Sequence, residues 1–236
     1  MEPIRRGTLI ARLDQGAADV AAALELRGRV FRAGRSDRDA ADARCRHVLV
    51  ERLGVLQATF RIRLFPQATE IADGYAGQHY DLRRLAARGG AMAELGRFCT
   101  DPGLRDPDLI RMAWAAVTRL VDLWGARFLF GCTSFPGTDP AAEVAGLAHL
   151  AAHHLAPADW APGIAAPEVV RLRDLAPARP SPAGLPPLLR SYLLLGGRVS
   201  DHVVIDRDLG TFHIFTGLDL GAVPPARAAA LRDLCR

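Results

Sequence analysis

Two carboxylates stand three residues apart just before a predicted strand, and an arginine lies on the strand that follows. The carboxylates are Asp39 and Asp42, and Arg61 lies on the polar face of residues 55–65. If the two strands pair, Arg61 can form ion pairs with both aspartates. A solvated acidic turn also accounts for this spacing, and spacing alone favours the solvated turn.

A second candidate is Glu94, a carboxylate in an otherwise apolar strand predicted for residues 93–100. Burying a charge costs free energy unless the charge is paired, so Glu94 is expected to have a partner or a chemical role. The structural alternative pairs it with Arg61 or Arg63, and the residues alone leave the two interpretations equal. Arg97 would point to the opposite face of the strand unless a bulge intervenes.

Other clusters favour structural roles. Residues 131–139 resemble neither a nucleophile elbow nor a phosphate loop, and Thr138 or Asp139 is expected to cap a helix. His149, His153 and His154 lack a His-Glu-x-x-His pattern, so an exposed helix face is favoured over a metal site. The cysteines include no Cys-x-x-Cys pair, which disfavours structural zinc and a disulfide framework.

Hydrophobic periodicity predicts the elements that position these residues. Strands are predicted at residues 8–14, 47–51, 55–65, 93–100, 127–135, 169–172, 202–206 and 211–217. Helices are predicted at residues 17–31, 107–124, 139–155 and 187–195. The order, with one central strand–loop–helix–strand unit, favours an α/β or α+β mixed sheet over a doubly wound one.

The composition is that of a globular protein, and we expect residues 1–236 to form a single domain with a Pro- and Ala-rich excursion at 156–187. No apolar run approaches the ~20 residues of a membrane span, and no secretory signal is evident, so we expect a cytoplasmic protein. The net charge of +4, carried by arginine without any lysine, suits an acidic protein partner or an anionic membrane face. No dense basic stripe indicates nucleic-acid binding.

A set of motifs, taken in order, resembles the bacterial ornithine lipid N-acyltransferases. These motifs are Arg27-x-x-x-Phe31, Asp39-x-x-Asp42-x-x-Cys45-x-His47, Thr59-Phe-Arg61, Glu94-Leu-Gly-Arg97-Phe-Cys-Thr100, and residues 129–139, 186–197 and 204–211. The resemblance covers nearly the whole chain. Acyl-homoserine lactone synthases are similar but more distant, since they share fewer of these motifs.

The resemblance implies a GNAT-like fold, which is a mixed, twisted central sheet flanked by helices with a splayed central parallel strand pair. It also implies transfer of a 3-hydroxyacyl group from acyl carrier protein to the α-amine of ornithine, or of glutamine in related enzymes, giving a lyso-aminolipid. The donor is then a phosphopantetheine thioester, with no permanently bound cofactor and no metal. The expected partners are acyl carrier protein, the amino acid and, peripherally, the inner membrane.

Site residues follow from the same resemblance. We expect the catalytic residues to be Glu94, Arg97 and Asp42, with Glu94 as the base. The substrate-binding residues are expected to be Arg27, Phe31, Asp39, His47, Arg61 and Ser134. The thioester and pantetheine are expected to contact Phe98, Cys99, Thr100 and Arg105, without a covalent acyl-enzyme. For the apolar residues Trp114, Val117, Phe128, Phe130 and Leu147, ordinary core positions are favoured over the lining of an acyl tunnel.

Two departures from the pattern bear on the substrates. The Gln/Arg-x-x-Gly-x-Gly/Ala pyrophosphate loop of coenzyme A–dependent GNAT enzymes is replaced by residues 101–105, which favours a carrier-bound donor. The segment of residues 34–39 is shorter than in the family, so the loop that covers the acceptor amino acid is expected to be trimmed. Two alternatives stay open: an acyl-homoserine lactone synthase-like enzyme that uses S-adenosylmethionine, and a non-catalytic module that binds an acyl chain or a carrier.

Overall fold

A computed structural model of the protein describes residues 1–104 and 106–235. The strands are β1 (Ile4–Arg6), β2 (Leu9–Leu13), β3 (Arg46–Arg52), β4 (Val55–Phe65), β5 (Tyr80–Asp81), β6 (Met92–Thr100), β7 (Phe128–Pro136), β8 (Gly163–Ile164), β9 (Val169–Arg171), β10 (Arg198–Asp206) and β11 (Thr211–Asp219). The α-helices are α1 (Ala17–Phe31), α2 (Arg83–Ala86), α3 (Pro107–Trp124), α4 (Val144–His153), α5 (Pro187–Leu194) and α6 (Pro225–Asp233).

These elements fall into two compact units. Unit 1 comprises residues 1–64, 95–104, 106–126 and 224–235, and unit 2 comprises residues 65–94 and 127–223. The division falls inside β6, so that strand contributes residues to both units. The expectation of a single domain over residues 1–236 stays a prediction.

Unit 1 is built on an antiparallel series of strands. Its strand order is β1-β2-β3-β4-β6, with the pairs β1–β2, β2–β3 and β3–β4 antiparallel. Helix α3 packs on β1, β2 and β3. It begins where the Asp106 carboxylate accepts a hydrogen bond from the main-chain N–H of Asp108 at 2.8 Å, and Pro107 occupies its first turn. It ends at Gly125, whose φ of 61° is left-handed.

Unit 2 contains the strand order β6-β7-β11-β10-β9. Strands β6 and β7 run parallel, while the pairs β7–β11, β11–β10 and β10–β9 are antiparallel. The mixed α/β, GNAT-like fold is therefore confirmed. The candidate tunnel residues are all buried, which is the core position that the sequence favours; they are Trp114, Val117, Phe128, Phe130 and Leu147.

The predicted bounds are confirmed where periodicity and end signals agree, as in α1, α3 and β4. The strand predicted at 8–14 corresponds to β2, but β1, which precedes it across a turn at Gly7 (φ 57°), was not predicted. The helix predicted at 139–155 is also too long. Its first turn, Pro140–Glu143, is a 3-10 helix, and α4 begins only at Val144.

Candidate active site

A buried arginine forms the centre of an ion-pair network in unit 1. The Nη1 of Arg27 donates to the Asp42 Oδ1 at 2.6 Å, and its Nε donates to the Asp37 Oδ2 at 2.8 Å. Its Nη2 donates to the main-chain oxygen of Asp37 at 2.7 Å. The Arg27 side chain is 0% exposed, and those of Asp37 and Asp42 are 1% and 2% exposed. Such full pairing makes burial of these charges tolerable.

The loop after α1 brings the aspartates back to that helix. The chain reverses at Ala33 (φ 50°) and Gly34 (φ 88°), and the Gly34 N–H donates to the Gly28 carbonyl at 2.9 Å. A Cβ at Gly28 would lie 2.4 Å from the carbonyl oxygen of Arg35, so only glycine allows this approach. Residues Asp42–Arg44 then form a 3-10 turn before β3.

Strands β4 and β6 each add an arginine to the network. The Nη1 of Arg61 donates to the Asp39 Oδ1 at 2.5 Å and to the Asp42 Oδ1 at 2.9 Å. The Nε of Arg97 donates to the Asp37 Oδ2 at 3.1 Å, and its Nη2 to the Asp39 Oδ2 at 3.3 Å. The solvated-turn interpretation of the two aspartates is therefore wrong for Asp42.

Arg97 departs from regular strand geometry. Its φ of 53° is left-handed, which is uncommon outside glycine. The local irregularity that the sequence left open is therefore present in β6. Because Arg97 is bonded to two aspartates, we attribute this conformation to the ion pairs that hold its side chain.

The charges of the network are fixed by their contacts. Burial would raise the pKa of Asp42, but hydrogen bonds from His47 and Arg27 outweigh burial and hold it well below its ordinary value. Burial would lower the pKa of Arg61, but Asp39 and Asp42 raise it above its ordinary value. Both groups therefore stay ionised at neutral pH. This suits Asp42 to positioning rather than to proton transfer.

His47 completes the network from β3. Its ring is 1% exposed, and its Nε2 lies 3.4 Å from the Asp42 Oδ1. An Nε2–H that donates to this carboxylate leaves the lone pair on Nδ1. Its main-chain N–H donates to the Asp14 Oδ1 at 2.8 Å.

Glu94 lies in unit 2, where two main-chain amides bind its carboxylate. The Tyr75 N–H donates to Oε2 at 3.0 Å, and the Ala76 N–H donates to Oε1 at 2.6 Å. A Cβ on Gly74 would lie 2.7 Å from Oε2, so glycine permits this contact. Glu94 is 7% exposed, and the two N–H donors offset the cost of burying its charge.

Comparisons with known proteins show the family to which the chain belongs. An acetyltransferase (GNAT) domain family matches residues 22–115. The chain is 30% identical over 237 residues to the L-ornithine N(alpha)-acyltransferase of Brucella abortus (strain 2308), which covers 89% of this chain and 84% of that protein. It is 34% identical over 175 residues to the enzyme of that name from Rhodobacter capsulatus, covering 73% and 68%. The chain belongs to the L-ornithine N(alpha)-acyltransferase family.

Membership in this family makes the protein an acyltransferase, as the sequence predicted. Two solved structures share the fold. FeeM, an N-acyl amino acid synthase from uncultured soil microbes, is 15% identical with a TM-score of 0.54, covering 90% of this chain and 91% of that one. TofI in its apo form is 18% identical with a TM-score of 0.50, covering 95% and 99%.

The other residues that the acyltransferase resemblance predicts lie outside these two clusters. Phe31 ends α1 and is half-buried, and Ser134 is exposed on β7, paired in register with His213. Phe98 and Thr100 are half-buried at the end of β6. Their roles stay predictions. Arg105 lies outside the described residues.

Cys99 is buried, and burial raises the pKa of its thiol to about 12. The reactive form of cysteine is the thiolate, so Cys99 is not suited to form an acyl-enzyme. Among residues 1–104 and 106–235, no group of His, Cys, Asp and Glu side chains is arranged to hold a metal ion. None of the helices within the same residues has the length and hydropathy that crossing a bilayer requires.

Sequence reasoning missed three features of these clusters. Asp37 is as deeply buried as Asp42, yet it was not among the predicted site residues. Arg32, whose Nε donates to the Asp37 Oδ1 at 3.2 Å, was also missed. The amides of Tyr75 and Ala76 have no side-chain signature. The cluster of arginines and aspartates at positions 27–42 was the available signal for the first two.

Proposed function

We propose that this protein transfers a 3-hydroxy fatty acyl group from the phosphopantetheine thioester of acyl carrier protein to the α-amine of ornithine. The product would be a lyso-aminolipid. Membership in a family of L-ornithine N(alpha)-acyltransferases supports the reaction class. The observation that carries the assignment is a Glu94 carboxylate fixed by two main-chain amides in the buried part of β6.

The chemistry requires a proton acceptor. An α-ammonium group is not nucleophilic, and most of it is protonated at neutral pH. Glu94 takes one proton from it, directly or through a water, and the neutral nitrogen attacks the thioester carbonyl carbon. The N–C bond forms and the C–S bond breaks. The departing sulfur takes the remaining surplus proton as a thiol, which leaves a neutral amide.

The ion-pair network of unit 1 fixes part of the strand β6. It ties Arg61 on β4 and Arg97 on β6 to the aspartates of the loop after α1. Glu94 and Arg97 both lie on β6, so fixing Arg97 limits the conformations of the strand that carries the proposed base. Asp39, Arg32 and Arg97 are 29%, 18% and 9% exposed, so these are the network side chains best suited to meet a substrate.

The start of α3 favours a carrier-bound donor over free coenzyme A. A helix N-terminus binds a diphosphate through unpaired main-chain N–H groups. Here Pro107 has no N–H, and the Asp106 carboxylate already accepts the N–H of Asp108. The phosphopantetheine arm of a carrier protein places less negative charge at this position than the diphosphate of coenzyme A.

We also propose that the enzyme works in the cytoplasm and contacts the inner membrane peripherally. The product is amphipathic and must reach a bilayer. Leu53 and Val55, on the hairpin between β3 and β4, are 79% and 61% exposed. Leu53 adopts a φ of 50°, which is unusual for a branched side chain. Flotation with vesicles of anionic lipid tests this contact, and Leu53→Ser should weaken it.

The function is tested by supplying purified protein with acceptors and donors separately. We expect ornithine to be acylated from 3-hydroxyacyl carrier protein, and much less from the coenzyme A thioester. Glutamine acylation in place of ornithine would change the acceptor but not the reaction. Lactone formation from S-adenosylmethionine would identify the synthase-like alternative, and no transfer to any acceptor would favour the non-catalytic module.

A further inference from the structure

One tyrosine of unit 2 connects the proposed base to a second carboxylate. The main-chain N–H of Tyr75 donates to the Oε2 of Glu94 at 3.0 Å. The phenol of the same residue donates to the Oδ2 of Asp206 at 3.2 Å. Asp206 ends β10, is half-buried, and has no role in the chemistry described above.

We propose that Asp206 binds the side-chain ammonium of a diamino-acid acceptor. This inference rests on the acyl transfer to ornithine proposed above, and it makes Asp206 a residue that determines acceptor specificity. Glu94 then receives the α-amine, and Asp206 receives the amine at the other end of the same substrate.

Tyr75 contacts one carboxylate through its main-chain nitrogen and the other through its phenol oxygen, so the distance between these two atoms of Tyr75 is the guide to an acceptor of suitable length. By standard bond lengths, the main-chain nitrogen and the phenol oxygen of a tyrosine lie on the order of 7 Å apart. The two nitrogens of extended ornithine are separated by about 6 Å on the same bond lengths. A linear diamino acid that lies along Tyr75 can therefore place one amine near each carboxylate.

The surroundings of Asp206 also suit a cation. An acceptor that lies along Tyr75 would follow a path beside the Tyr75 ring, whose centroid is 4.9 Å from that of His79. Aromatic faces attract alkylammonium groups, and a carboxylate at the end of that path adds a charge-assisted hydrogen bond.

The same arrangement would determine which amine reacts. A side-chain amine of the lysine type has a pKa near 10.4 and is protonated at neutral pH. An ion pair with Asp206 holds it in that non-nucleophilic form. Glu94 meanwhile accepts a proton from the α-amine, so acylation is directed to Nα.

A purely structural role for Asp206 makes a different prediction. Its Oδ1 accepts the main-chain N–H of Leu209 at 3.0 Å, which stabilises the turn between β10 and β11. Asparagine keeps a carbonyl oxygen for that bond but removes the negative charge. Asp206→Asn therefore separates recognition of a cation from capping of the turn.

The test compares ornithine with norvaline, which has the same carbon chain without the side-chain amine. Initial rates with 3-hydroxyacyl carrier protein give kcat/KM for both acceptors in the wild type, Asp206→Asn and Asp208→Asn. Asp208 is an exposed aspartate of the same turn and serves as the matched control. Thermal unfolding of each variant checks the fold.

We expect the wild type and Asp208→Asn to prefer ornithine over norvaline by about 10- to 100-fold, the equivalent of one hydrogen bond to a charged group. In Asp206→Asn, kcat/KM for ornithine should fall to kcat/KM for norvaline, while kcat/KM for norvaline stays at its wild-type value. Equal losses for both acceptors in Asp206→Asn would overturn the inference and leave the transferase function standing. So would a wild type that uses norvaline as well as ornithine. A wild type that acylates neither acceptor would reject the proposed function, and this inference with it.

Discussion

The Nη1 of Arg27 lies 2.6 Å from the Oδ1 of Asp42, and neither side chain is more than 2% exposed. The pair joins α1 to the turn before β3, and Arg61 extends it to β4. Buried ion pairs of this kind contribute little over an apolar replacement, but they are costly to break from one side. The pair therefore acts as a positional constraint.

Asp42→Asn should strongly destabilise the protein. It leaves Arg27 buried with one of its carboxylates gone, and breaking a buried pair costs about 3–5 kcal/mol. Asp122→Asn is the control, because Asp122 and Arg232 form a pair in which both side chains are over 40% exposed. That exposed pair should contribute about 1 kcal/mol or less to the free energy of unfolding. Urea unfolding gives both values, and similar losses in the two variants would contradict the structural role of Asp42.

The stability of the wild type should fall in acid partly through Asp42. Burial would raise the pKa of this carboxyl, but His47 and Arg27 lower it overall. A carboxyl whose pKa is lower in the folded state than in the unfolded state stabilises the fold. This contribution is complete at pH values above the unfolded-state pKa, about 4, and it is lost as the pH falls below that pKa. Between about pH 5 and 2, the free energy of unfolding should therefore decline more steeply in the wild type than in Asp42→Asn. Parallel declines would show that Asp42 is not the group responsible.

Much of the fold was predictable because local signals agreed. The predicted bounds of α3, residues 107–124, are confirmed, and in the structure Asp106 caps the helix, Pro107 begins it and Gly125 ends it. The segment between β4 and β6 was not predicted. It consists mainly of short 3-10 turns, such as Ala68–Asp73, which have no apolar periodicity. Helix α6 was missed because none of its residues is buried, so it has no apolar face to detect.

The candidate site was predictable in its residue types but not in its partners. Spacing favoured a solvated turn at Asp39 and Asp42, because spacing does not show that Asp42 also binds Arg27 on α1, fifteen positions earlier. Glu94 was expected to have either a partner or a role. The partners that the structure shows include main-chain amides, and any residue type can supply those. Family motifs therefore identified residues whose contacts only tertiary structure could show.

Glu94→Gln should lower kcat/KM for ornithine by about 10²- to 10⁴-fold, the usual contribution of a general base. Glutamine keeps the size of the side chain but cannot accept the proton. The deficit should shrink as the pH rises, because solution then supplies the neutral amine without help from the enzyme. Glu143→Gln, a half-buried glutamate of unit 2, is the control. A folded Glu94→Gln variant with the normal rate at every pH would remove Glu94 from the mechanism.

Cys99→Ala should stay active within about threefold, since a buried thiol that stays protonated is a poor nucleophile. Burial raises the pKa of Cys99 to about 12, so almost no thiolate exists at neutral pH. Intact-protein mass spectrometry of the wild type with the acyl donor should show no covalent acyl adduct. Loss of activity in a Cys99→Ala protein with an unchanged melting temperature would instead point to an acyl-enzyme.

Gly74→Ala should lower activity by displacing the Glu94 carboxylate. The added Cβ would lie 2.7 Å from Oε2 and 3.0 Å from the Cζ of Phe65, closer than side-chain atoms approach. The backbone of Gly74 (φ −77°) is ordinary for alanine, so the effect is one of contact and not of strain. Gly16→Ala is the matched control, because a Cβ there meets no atom within 4 Å. We expect kcat/KM to fall at least about tenfold in Gly74→Ala with little change in Gly16→Ala, since small misplacements of a catalytic group are costly. Equal activities would show that the amide-bound position of Glu94 is not the one that reacts.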